Sequence, residues 1–142
     1  MIVTTKVRYG FRALIEIASV PNNTGIIQKE IACNQELPYK YLDHIIKGLM
    51  TAHLIEHRKG RMVGYNLALP PNEITVYMVY RAFETELCLV ECLHNNTCTR
   101  QEGACNSQSV WKELNKQIVD FMKSITLKDV LDGKDLSMIN DY

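Results

Sequence analysis

The sequence predicts a mainly α fold with a small β element, and three observations carry that expectation. Apolar residues recur every three or four positions in several separate stretches, the period of half-buried helices. One pair of short alternating segments flanks a Gly-containing turn, the pattern of a hairpin. The chain has 142 residues, which is one domain, or one domain with an appendage.

The first helix is expected from Thr4 to Ser19, with Val7, Phe11, Leu14, Ile15 and Ala18 on one face and Thr4 or Thr5 as its cap. Pro21-Asn22-Asn23-Thr24-Gly25 ends it in a loop. A short helix from Ile26 to Cys33 follows, with Ile27 and Ile31 on one face and Cys33 expected in the core. Pro38 suits the start of a third helix, where its missing N–H costs nothing. That helix runs to about Ala52 and buries Tyr41, Leu42, Ile45, Ile46 and Leu49.

Leu54–Arg58 and Tyr65–Leu69 read as two strands around the turn at 59–64. Asn72 is expected to cap a fourth helix, Glu73 to about Glu86, with Val76, Val79, Tyr80 and Phe83 inward. The next segment holds Asn95-Asn96-Thr97 and Gly103 and reads as a loop. Ser107 then caps a long helix through about Lys123, lined by Val110, Trp111, Leu114, Ile118, Phe121, Met122 and Ile125. A last short helix starts at Thr126, with Asp129 placed for a capping box. Lys134–Tyr142 reads as a frayed end.

Helices flanking a two-stranded ribbon make a winged helix-turn-helix, followed by a long C-terminal helix. The apolar face of that helix is wide for the end of a small domain. A second copy crossing it would bury both faces, so it reads as a dimerisation helix; packing onto its own domain is the alternative. The expected organisation is a winged helix-turn-helix over residues 1–86, a cysteine-rich loop over 87–106, and the dimerisation helix and tail over 107–142.

Hydrophobic residues are 46% and charged residues 23% of the chain, ordinary globular values that exclude bulk disorder and low-complexity classes. No run approaches the ~18 apolar residues of a membrane helix. The N-terminus shows no secretory apolar stretch, so the expectation is a cytoplasmic protein without a membrane partner. Net charge is zero, yet residues 1–80 hold nine Lys/Arg against six Asp/Glu, and the rest hold seven against ten. A basic front half suits a local nucleic-acid patch.

A recognition helix presents its N-terminal residues to base edges in double-stranded DNA. Here those are Tyr39, Lys40, Asp43 and His44. Lys40 can donate to guanine, and Asp43 can accept from cytosine. Arg58, Lys59 and Arg61 at the wing suit phosphates or a minor groove. The alternatives are plain solvated charges or a protein-interaction module. A homodimer would meet two operator half-sites roughly one duplex turn apart.

Four of the five cysteines, Cys88, Cys92, Cys98 and Cys105, fall within eighteen residues. An odd count without an export signal argues against a disulfide framework and for metal or redox chemistry. Thiolates are soft donors for iron–sulfur clusters and zinc. The spacing differs from the tight C-x2-C of zinc knuckles, which favours a cluster. Cys88, four residues before Cys92, would share a helical face with it if the helix continued that far, and would complete a four-cysteine set. His94, the carboxylates Glu86, Glu91 and Glu102, and a small molecule are other candidates for the last ligand. At Cys88 the competing reading is a small apolar residue at a helix end. His53 and His57 straddle the start of a strand and read as structural.

Ile31-Ala32, Pro38, Tyr41-Leu42, Ile45, Leu49, Ala52, Leu54-Ile55, Gly60, Gly64-Tyr65, Leu67-Ala68 and Pro70 resemble the IscR-type winged-helix regulators. The opening Thr4–Tyr9, Val110-Trp111 and Ile125-Thr126-Leu127 extend the resemblance over nearly the whole chain. It implies a homodimeric bacterial transcription regulator whose DNA affinity follows an iron–sulfur cluster, making it a redox sensor. The implied ligands are Cys92, Cys98 and Cys105, and a 2Fe–2S cluster is expected over a 4Fe–4S one. The implied recognition positions are Lys40, Asp43 and His44, with a wing contact at or near Lys59.

Three departures stand out. The wing tip is Arg61-Met62-Val63 instead of glycine-rich. The second cysteine gap is one residue longer than the family's. Gln108 replaces a histidine ligand, and Arg8 stands where some relatives carry an acidic one. Competing functions are a zinc or thiol-switch regulator and, in another class, a small iron–sulfur electron carrier. Nothing resembles a nucleophile–base pair, a phosphate-binding glycine loop or paired catalytic carboxylates, so an enzyme is not expected.

Overall fold

A computed structural model describes residues 3–21, 24–58, 64–93 and 105–137. Residues 59–63, expected as the turn of the hairpin, 94–104, in the cysteine segment, and 138–142, expected as a frayed end, lie outside the described residues.

Helix α1 spans Thr5–Ser19, and Thr4 caps it by accepting from the Val7 N–H. Its buried face is Val7, Gly10, Ala13, Leu14 and Ile17, while Phe11, Ile15 and Ala18 are half-buried along its flank. Helix α2 is Gln28–Asn34, with Ile31 fully buried. Ile27 precedes the helix and is exposed, and its neighbour Ile26 takes the core position instead. Cys33 is exposed, not in the core. It stands two residues from Ile31, which is more than half a turn around the helix.

Helix α3, Tyr39–Thr51, starts one residue after Pro38 and buries Leu42, Ile45, Ile46 and Leu49. Both α2 and α3 end in the same way. Glu36 and His53 take left-handed backbone at φ 52° and 57°. In each case the next N–H reaches back five residues: Leu37 to the Ala32 carbonyl at 2.9 Å, and Leu54 to the Leu49 carbonyl at 3.0 Å. These are Schellman caps, and they give His53 a structural role.

Strands β1, Ile55–Arg58, and β2, Gly64–Leu67, pair antiparallel with Ile55 opposite Leu67 and His57 opposite Tyr65. Ile26 adds a bridge to Tyr65 on the outer edge. Gly64 permits that approach, because a Cβ there would lie 2.7 Å from the Ile26 nitrogen.

Helix α4 is shorter than expected, Val76–Phe83. Its cap is Thr75, not Asn72: the Thr75 hydroxyl accepts from Met78 N–H at 3.2 Å. Glu73 instead lies in a turn back to Pro70. A single 3-10 turn, Glu91–Leu93, follows an irregular stretch. Helix α5 spans Gln108–Ser124. Ser107 sits at its N-cap position but makes no capping bond; its hydroxyl pairs with the Cys105 thiol at 3.2 Å. Helix α6, Leu127–Leu131, has the expected capping box between Thr126 and Asp129.

The result is mostly helical with one two-stranded antiparallel sheet. The main core joins α1, α2, α3, the hairpin and α4, and Leu127 of α6 reaches back into it. A second cluster, Val7, Tyr80, Leu87 and Met122, joins α1, α4 and α5.

Candidate nucleic-acid interface and cysteine segment

The first two turns of α3 split cleanly by face. Leu42, Ile45 and Ile46 point into the core, while Tyr39, Lys40, Asp43 and His44 are exposed. The side-chain amide of Gln28 on α2 donates to the Tyr39 carbonyl at 3.4 Å, which ties α2 to the start of α3. Asp43 pairs with Lys47 one turn on at 3.3 Å, with both side chains exposed. That pair leaves the carboxylate able to accept a second donor.

Tyr65 on β2 belongs to the same surface, and sequence reading missed it. Burial raises its phenol above the ordinary value, and the nearby Asp43 carboxylate and Tyr39 side chain push the same way. His57 stacks edge-on against Tyr65 with ring centroids 5.1 Å apart, consistent with a structural histidine. Arg58 closes β1 opposite Gly64. Lys59 and Arg61 lie outside the described residues. An open cavity of about 540 Å3 beside α3 is lined by Lys6, Tyr41, His44 and Phe83. Lys6 is thus a basic residue near the exposed face of α3 that the pattern of α3 and the wing gave no reason to include.

Helix α4 ends at Phe83, so Cys88 and Cys92 do not share a helical face. Cys88 lies in the irregular stretch, and its thiol donates to the Val90 carbonyl at 3.0 Å. It lines a cavity of about 260 Å3 with Tyr80, Thr85, Glu86, Leu89 and Glu91. Cys92 sits in the 3-10 turn, and Cys105 lies just before α5. All three are half-buried, and no disulfide joins any of the described cysteines. Cys98, His94 and Glu102 lie outside the described residues. Among the described residues, no three His, Cys, Asp or Glu side chains gather within ligating reach. Gln108, at the start of α5, is half-buried.

Sequence reading also missed Asn115. From the middle of α5 its side chain bonds the backbone of Leu87 and Leu89 on either side of Cys88. A polar residue in line with the predicted apolar stripe, four after Trp111 and three before Ile118, is the only local signal, and its partners lie far away in sequence.

The expected apolar face of α5 divides. Met122 and, just past the helix, Ile125 are buried, whereas Val110 is 58%, Trp111 40%, Leu114 44% and Phe121 43% exposed. An apolar groove of about 390 Å3 lies alongside, lined by Val3, Val7, Phe11, Val76, Phe121 and Met122. No helix among the described residues is long and apolar enough to cross a membrane.

The sequence matches the Rrf2 family, described as iron-dependent transcriptional regulators, over residues 3–133. It is 33% identical to protein rrf2 of Nitratidesulfovibrio vulgaris over 131 residues, covering 92% of this chain and 87% of that one. It is 27% identical to the transcriptional regulator IscR of Aliivibrio salmonicida, covering 99% of this chain and 83% of that one. Among solved structures it resembles CymR, the global cysteine regulator of B. subtilis, with a TM-score of 0.79 at 27% identity over 95% of this chain and 99% of that one. It also resembles IscR of T. potens, with a TM-score of 0.76 at 28% identity over 100% and 94%. The hairpin beside α3, the helical order and these likenesses agree: the chain belongs to the Rrf2 family of winged-helix transcriptional regulators and is not an enzyme.

Proposed function

We propose that the protein is a homodimeric regulator whose affinity for a double-stranded DNA operator is set by an iron–sulfur cluster on its cysteine segment. Residues 1–86 act as the DNA-binding unit, 87–106 as the sensing loop and 107–142 as the dimerisation unit. The observation that carries the reading is the place of the cysteines. They lie between α4, which is packed into the winged domain, and α5, whose apolar stripe stands exposed. A change in that segment therefore acts on the element that sets one winged domain against the other.

On the DNA side, Lys40, Asp43 and His44 are placed to read base edges, and Tyr39 flanks them. Arg58, Lys59 and Arg61 serve the phosphates or the minor groove. The donor set suits a cluster by its chemistry: Cys92, Cys98 and Cys105 are soft ligands, and the described ones are half-buried, not core residues. Cys88 is the fourth candidate on the same grounds, and Glu86 and Glu91 line its cavity. When bound, a 2Fe–2S cluster would supply redox- and supply-sensitive ligation of the thiolates. A ligand shifts the DNA equilibrium only by its different affinity for the two arrangements.

A second reading replaces the cluster with a thiol switch. It is favoured by likeness to a solved oxidized form of Staphylococcus aureus CymR, with a TM-score of 0.73 at 26% identity over 95% of this chain and 99% of that one. Anaerobic purification separates the two, read by visible absorption with iron, sulfide and zinc assays. Broad absorption in the blue with matching iron and sulfide is the expected result. A colourless protein that stays colourless after reconstitution would exclude the cluster and leave the thiol switch or, with stoichiometric zinc, a structural metal.

A further inference from the structure

The stretch that leads from α4 into the cysteine segment has no regular secondary structure, yet one side chain fixes its backbone. Asn115 accepts from the Leu89 N–H through Oδ1 at 2.9 Å and donates from Nδ2 to the Leu87 carbonyl at 3.2 Å. Its amide therefore pairs with the backbone on both sides of Cys88, as a neighbouring strand would. Two further contacts hold the same stretch. The Leu87 side chain is 2% exposed, packed with Val7, Tyr80 and Met122. The Glu84 carboxylate accepts from the Thr4 hydroxyl at 2.7 Å, which ties the start of the stretch to α1.

The chemistry of the pairing is specific to a carboxamide. A carboxylate can accept from Leu89 but cannot donate to Leu87, and an apolar side chain can do neither. Asparagine is also a weak helix former, so its place in the middle of α5 needs a reason outside the helix. The two backbone bonds supply that reason.

We propose that Asn115 is a positioning residue that splints the Cys88 backbone onto α5, so that a change of state at the cysteines moves α5 and is not absorbed by a slack linker. The relay rests on the regulator reading above; the splint does not.

The test uses the full-length protein with Asn115→Ala and Asn115→Asp. The first readout needs no cofactor. Hydrogen exchange at the Leu89 amide and iodoacetamide alkylation of Cys88 are followed by mass spectrometry, with the exposed Cys33 on α2 as internal reference. Both rates rise several-fold in Asn115→Ala, rise less in Asn115→Asp, which keeps the acceptor for Leu89, and leave Cys33 unchanged. The second readout is the ratio of operator affinities between the reduced, cluster-free form and the cluster-loaded or oxidised forms. It falls toward one in Asn115→Ala, while the affinity of the reduced, cluster-free form holds. Equal Cys88 and Leu89 rates in all three proteins would overturn the splint. Faster rates with an unchanged affinity ratio would overturn the relay. A ratio of one in the unsubstituted protein, with faster rates in Asn115→Ala, would uphold the splint and overturn the regulator reading with its relay.

Discussion

Asp129 illustrates what single residues contribute. Its carboxylate accepts from the Thr126 N–H at 3.0 Å and the Thr126 hydroxyl at 2.9 Å. Those bonds to Thr126, with help from Lys134, hold its carboxyl below the ordinary value of 3.8. A carboxyl depressed in the folded state stabilises the fold fully above the unfolded value and loses that contribution as pH falls through the folded value. The thermal midpoint of the unsubstituted protein should therefore exceed that of Asp129→Ala at neutral pH, with the gap closing below 3.8. A gap that ignores pH would contradict the assignment. The Thr126–Asp129 box was legible because both partners fall within one turn. Thr75 against Asn72 was not, because both are capping residues and the decision is tertiary. Thr75 is held by its bridge to Thr126 far along the chain. Cys33 was misjudged by reading proximity to Ile31 as a shared face. Asn115 was invisible for the same reason as Thr75, since its partners lie 26 and 28 residues away.

Elements meet here around one ring. Phe83, the last residue of α4, lies between Gly10 of α1 and Gly48 of α3. A Cβ at Gly48 would sit 2.5 Å from the Phe83 Cε1, and one at Gly10 would also fall inside contact distance of the ring. The ring cannot relieve one helix without pressing on the other. Overpacking of this kind costs about 1–3 kcal/mol, against a helix-propensity gain of about 1 kcal/mol for Gly→Ala. Gly48→Ala should thus lower stability by up to about 2 kcal/mol, measured by urea unfolding. In a Phe83→Leu background the same substitution should become neutral or stabilising. A loss of the same size in both backgrounds would refute the packing argument. Periodicity made α1, α3 and α5 legible, because each carries one apolar stripe, buried in α1 and α3 and largely exposed in α5. It failed at the end of α4, where Glu84 leaves the helix while holding the Thr4 hydroxyl.

At the scale of the whole molecule, two features underlie the proposed function. The stripe of Val110, Trp111, Leu114 and Phe121 on α5 is exposed, and an apolar groove runs beside it. Leu114→Glu should convert the proposed dimer to a monomer in analytical ultracentrifugation, with unchanged helix content. An unaltered sedimentation coefficient would place the dimer contact elsewhere. The second feature is the cysteine segment between α4 and α5. The winged architecture was legible from apolar spacing and the hairpin pattern. The proposed site was legible only in part: the exposed start of α3 follows from its apolar spacing, whereas Lys6 comes to the cavity beside His44 from a distant part of the chain.

The most direct test of the account is the operator affinity of cluster-loaded and cluster-free protein at one fixed salt concentration, since phosphate contacts depend steeply on salt. A ten- to hundredfold difference is predicted, about 1.4–2.8 kcal/mol and within the usual range of coupling between sites. Equal affinities of the two forms for the operator would contradict control by the cysteine segment and leave a regulator that answers to another signal.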